Sequence, residues 1–145
     1  MTQEDKLLLI KDLSARLPYA VTVEHTSGFR GTLHDIAIHH MYDDNDNIYD
    51  AVCYTDFFGD EDHIHIEYFK PYLFPLSSIT IEQEKELSKL GVSYGEYALH
   101  DDIRGLGIMV DEAYIFFEFC YKHHIDFLGF IEKGLANDAT GLNIY

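Results

Sequence analysis

Two of the chain's three prolines fall in one apolar stretch, residues 69–80, and that stretch limits the folds open to the rest. Proline fixes its own φ and drives the residue before it into an extended conformation. Lys70 before Pro71, and Phe74 before Pro75, are therefore held extended. The residues between, Tyr72, Leu73, Phe74 and Leu76, are too apolar to be solvated. Strand-like alternation precedes the stretch and helical spacing follows it. The stretch is expected to act as a stiff crossover strapped across one core, with Tyr72, Leu73 and Leu76 buried, and not as a linker between two cores.

Before it, Thr2 with Asp5 forms a capping-box pattern, and Leu9, Ile10, Leu13 and Leu17 recur at helical spacing up to Pro18. Lys6, Lys11, Asp12 and Arg16 are assigned to the outer face of that helix. Strands are expected over residues 21–25, 30–39, 48–54 and 63–67. Turns at 26–28, 43–47 and 57–62 separate them. Leu33, Ile36 and Ile38 do not alternate cleanly, which predicts a bulge near Asp35. Beyond the crossover, Thr80 and Gln83 open a second capped helix that runs to about Leu90. A Gly-containing loop occupies 91–107. A strongly apolar helix follows over 111–123, then a short one over 127–133. The expected fold is α+β, a single domain over 1–145: an N-terminal helix, an antiparallel four-stranded meander, the Pro-bounded crossover, and C-terminal helices packed on one sheet face.

Charge excludes some functions. The 145 residues include 26 acidic and 10 basic ones, a formal charge of −16. A field of that sign repels nucleic-acid backbones and anionic membranes and favours basic partners. No apolar run approaches the roughly 20 residues of a membrane span, and the acidic N-terminus is unlike a signal peptide, so a cytoplasmic location is expected. Two cysteines in a chain of this size make no disulfide framework. With 11 Tyr, 10 Phe and no Trp, ring packing is expected to fill much of the core.

Two regions resemble known sequences. They are Lys70-Pro71-Tyr72-Leu73-Phe74-Pro75-Leu76-Ser77-Ser78-Ile79-Thr80, and the run from His123-His124-Ile125-Asp126-Phe127 through Ile131-Glu132-Lys133-Gly134-Leu135-Ala136 to Ala139-Thr140-Gly141-Leu142-Asn143-Ile144-Tyr145. With the opening Met1-Thr2-Gln3-Glu4-Asp5-Lys6, they resemble a family of small proteins of gut bacteria and their mobile elements. The family has no assigned activity, so the resemblance implies a context only: a cytoplasmic accessory protein, phage- or element-linked.

Three sets of residues are candidates for chemistry. His63 and His65 share one strand face at i, i+2, and Cys120 with His123 sits at helical spacing; together they define a candidate zinc site. Against it, the histidines also suit a solvent face and a helix C-terminus. Tyr94, Tyr97, His100 and Arg104 in the 91–107 loop are the candidate walls of a pocket for a nucleotide-like small molecule. Asp43-x-Asn45-x-Asn47 begins like a calcium loop, but Ile48 and Tyr54 replace the glycine and glutamate such a loop needs. Gly105-x-Gly107 precedes a helix that opens with Asp111 and Glu112, where a phosphate would be repelled. Neither cysteine has the electropositive, exposed setting of a nucleophile, and no catalytic spacing appears. The expectation is a non-enzymatic binding protein with a protein partner presenting a basic surface, with no direct nucleic acid and no membrane. A small-ligand binder and a His/Cys metal binder stand as the alternatives.

Overall fold

In the computed structural model, residues 1–41, 48–55, 62–92 and 110–145 are described. The fold is α+β. Helix α1 (Gln3–Arg16) starts as the capping box predicts: the Asp5 amide donates to the Thr2 hydroxyl at 3.1 Å, and the Thr2 amide donates to the Asp5 carboxylate at 3.2 Å. Strands β1 (Thr22–His25), β2 (Arg30–Met41), β3 (Ile48–Thr55) and β4 (Asp62–His65) follow, each antiparallel to the one before. The register of β2 against β3 shifts between Leu33 and Asp35, where the broken alternation placed a bulge.

The sheet is larger and more mixed than a four-stranded meander. The proline-bounded stretch is itself a strand, β5 (Phe69–Pro75), and it pairs antiparallel with β1 through Val23↔Pro71 and His25↔Phe69. Its other edge takes two short parallel strands, β6 (Ile125–Asp126) and β7 (Asn137–Asp138). The order is β4-β3-β2-β1-β5-β6, with β7 also on β5. The expected strap is thus an interior strand. A strand covered on both faces loses the alternation that marks a half-buried one and reads as a continuous apolar run. Tyr72 and Leu73 are buried as expected, whereas Leu76 is only half-buried, in a single 3₁₀ turn past the strand.

Strand β5 also separates two cores. Leu73 packs with Leu9, Leu13, Val23 and Phe130 beneath α1, while its neighbour Phe74 packs against Phe116, Phe119 and Ile125. The second core is built by α3 (Val110–Lys122), with Leu87 of α2 (Ile81–Lys89) set against it. Helix α3 is not buried all round, since Tyr114 is exposed. Helix α2 has its Thr80/Gln83 capping box, but Leu87 is its one fully buried apolar residue, with Ile81 and Leu90 in water.

Two further expectations are corrected. Residues 127–133 form turns and not a helix. Both oxygens of the buried Asp126 accept backbone N–H groups, from Phe130 at 2.9 Å and Ile131 at 2.7 Å, which satisfies donors that a helix would otherwise have to pair. Asp12 and Arg16 do not face water. Their side chains are fully buried, and the Arg16 guanidinium forks onto the Asp12 carboxylate at 2.7 and 3.0 Å. The same guanidinium donates to the carbonyls of Cys120 (3.2 Å) and Ile125 (2.9 Å), and lies 5.2 Å from the centre of the Tyr121 ring. One side chain therefore ties α1 to the end of α3 and to β6.

Candidate functional site

The turn from β1 to β2 and the 3₁₀ turn from β4 to β5 (Ile66–Tyr68) meet at one end of the sheet, joined by the Thr26 amide donating to the Tyr68 carbonyl at 2.8 Å. The β1–β2 turn is tight: the Gly28 amide donates to the His25 carbonyl, and Gly28 takes φ +88°, a conformation that favours glycine. Each of the two turns carries one large ring half in water, Phe29 at 52% and Tyr68 at 47% exposure. The Tyr68 ring meets His65 edge-on at 6.0 Å and His25 at 6.5 Å.

Next to these rings lies a shallow groove of about 290 Å³ lined by Glu24, His25, Thr26, Glu67, Lys70 and Asn137, with Phe69 at its base. Its charges are balanced. Glu24 faces Arg30 at 3.5 Å, and Glu67 faces Lys6 at 3.8 Å. The His25 Nδ1 accepts from the Ser27 amide at 3.2 Å, so in the neutral ring the proton sits on Nε2, making that nitrogen a donor and not a metal ligand. Ligand pockets usually begin near 300 Å³ and bury most of their ligand. This groove is at that lower limit and open, and it suits the edge of a larger contact better than an enclosed small molecule.

Charge is distributed unevenly along the sequence. Ten of the 26 acidic residues lie between Arg30 and Lys70, the segment that forms β2, β3 and β4, and no Lys or Arg occurs among them. Strand β4 is the outer edge of the sheet, and it runs directly into the turn that carries Tyr68. An uninterrupted acidic segment therefore leads into a pair of exposed rings.

The sequence-derived candidates are distributed otherwise. Tyr94, Tyr97, His100 and Arg104 lie outside the described residues. His63 is placed by its backbone, opposite Tyr54, and its side chain lies outside the description. His65 stands against Tyr68. Cys120 is in the second core, where burial pushes its thiol up to about 12, the reverse of what a metal-binding thiolate needs. His123 packs on Phe119 and its Nε2 lies 3.1 Å from Glu86, whose other oxygen accepts from Lys122 at 2.8 Å. Among the described residues, no three His, Cys, Asp or Glu side chains gather as a metal site would require.

The groove was not legible in the sequence because its walls come from β1, from the turn before β5, from β5 and from β7. Phe29, exposed on a Gly-containing turn, was the nearest thing to a sequence signal. Among the described residues no helix is long and apolar enough to cross a membrane. Comparison with protein families, with curated proteins and with solved structures returns no match.

Proposed function

We propose that this chain is a non-enzymatic binding protein that docks a protein partner with a basic surface through the β2–β4 segment and the adjoining rings. The observation that supports the reading is that the acidic stretch between Arg30 and Lys70, which lacks Lys and Arg, begins just after the half-exposed Phe29 and contains the half-exposed Tyr68. The two features have different roles. Long-range charge complementarity raises the encounter rate and rejects acidic surfaces, whereas aromatic anchors supply most of the energy once water is expelled. In a mobile-element setting, such a protein would act as an inhibitor of a host factor whose basic site it covers.

The test is retention of proteins from host lysate on the immobilised chain, compared with the Phe29→Ala/Tyr68→Ala double variant after both show the same circular dichroism. A basic protein held by the parent, released by moderate salt, and bound at least about tenfold more weakly by the double variant is the expected result. Equal retention by parent and variant would remove this surface from consideration.

A further inference from the structure

The second site is independent of the acidic segment. His124 follows α3 with φ +54°, unusual for a residue other than glycine, and its backbone is bound on both sides: its carbonyl accepts from Phe74 at 2.8 Å and its amide donates to Tyr121 at 3.2 Å. That conformation fixes the imidazole as a buried, flat wall. The Tyr145 ring lies on it nearly parallel, 9° between planes and 3.8 Å between centres, with Phe74 at 5.8 Å on another side.

The hydroxyl of Tyr145 is held as closely as its ring. It donates to the Tyr72 carbonyl at 2.6 Å and accepts from the Thr22 amide at 3.2 Å, so β5 and β1 each supply one backbone group. Although Tyr145 as a residue is 44% exposed, burial at the hydroxyl end pushes the phenol up to about 12. The residues leading to it are held much less. Residues 140–143 are exposed, and the described bonds from their backbone are local ones, from the Thr140 amide to the Asp138 carboxylate and from the Leu142 amide to the Ala139 carbonyl. One side chain thus anchors a mostly exposed segment, in a slot with a stacking wall, an acceptor and a donor.

We propose that the His124 face, the Tyr72 carbonyl and the Thr22 amide form a phenol-binding site, which Tyr145 fills as a tethered ligand and which takes a free phenol when Tyr145 is withdrawn. Each recognition element matches one part of a phenol: the wall takes the ring, the carbonyl takes the O–H, and the amide takes the oxygen lone pair. A ring lacking the hydroxyl would bury both backbone groups without partners, which is the basis of selectivity. Tethering gives Tyr145 an effective concentration in the millimolar range, so the intact chain excludes phenols at lower concentrations.

The probe is p-cresol, with toluene as the isosteric control, added to the Tyr145→Ala variant of the full chain. The variant is expected to melt below the parent, and millimolar p-cresol should restore part of the loss, binding at least about tenfold more tightly than toluene. The parent, whose tethered ring competes at millimolar effective concentration, should gain far less from p-cresol than the Ala variant does and nothing from toluene. Tyr145→Phe should melt below the parent and likewise gain little from p-cresol because its ring still fills the slot. If the Ala variant does not fold unaided, recovery of native circular dichroism with p-cresol but not with toluene supports the site equally. An Ala variant as stable as the parent, equal effects of p-cresol and toluene, or no effect of either would each overturn it.

Discussion

Arg16→Met is expected to lower the free energy of unfolding by about 3–5 kcal/mol, read as a fall in the urea midpoint at unchanged slope. The substitution leaves the Asp12 carboxylate in a site with no access to water and removes the donors from the Cys120 and Ile125 carbonyls. Burial already works to raise the Asp12 carboxyl, and the Arg16 guanidinium is what opposes that shift. Since small domains are stable by only about 5–15 kcal/mol, the loss would be a large share of the total. The cost belongs mostly to the stranded charge and not to the pair itself. Asp12→Leu/Arg16→Met, which removes both charges and keeps the volume, should therefore recover much of it. A single variant within 1 kcal/mol of the parent would show that the pair does not bridge α1 to α3 and β6.

Acidification should produce the second large effect. His124 is held down to about 4, first by desolvation and then by the positive charges of Arg16 and His123, with a hydrogen bond to the Tyr19 backbone pulling the other way. A free histidine titrates near 6.5. Between these values the unfolded chain binds a proton that the folded chain refuses, so this contribution is complete above pH 6.5 and is lost as pH falls through 4. The loss amounts to about 3 kcal/mol by pH 4. Asp12 acts in the opposite sense, because a raised carboxyl takes up its proton earlier in the folded state. The His124 share is isolated by comparing the parent with His124→Asn, a residue that tolerates positive φ. Urea unfolding at pH 7, 5.5 and 4.5 should give a steeper decline for the parent than for the variant. Parallel declines would remove His124 as the cause.

These two effects come from residues whose role sequence periodicity does not reveal. A cation at i+4 from a carboxylate on α1 looks the same whether the pair faces water or the core, and only the distant carbonyls of Cys120 and Ile125 decide it. His124 sits at a helix end, where a solvated, dipole-stabilised histidine is the ordinary expectation; the Tyr145 ring that covers it joins from another part of the chain. Features determined by neighbours a few residues apart were legible. The Thr2/Asp5 and Thr80/Gln83 boxes, the β1–β2 turn and the register shift after Leu33 all stand where local chemistry puts them. Residues 69–75 show the intermediate case. Their rigidity and burial were readable, but their place between β1 and β6 depends on a parallel pairing of Phe74 with Ile125, far along the chain. For the candidate site, charge sign and ring count were visible, whereas the joining of the β1–β2 turn to Tyr68 and the contact of Tyr68 with His65 at the end of β4 are products of the fold.

Carbodiimide treatment of the captured complex tests the docking surface most directly, because it joins a carboxylate to a lysine only where the two already touch. Mapped by peptide mass spectrometry, the links should run from lysines of the bound protein to carboxylates between Arg30 and Lys70, and should disappear when salt releases the complex. Links confined to the exposed Glu82 and Glu132 would place the partner elsewhere and contradict the account.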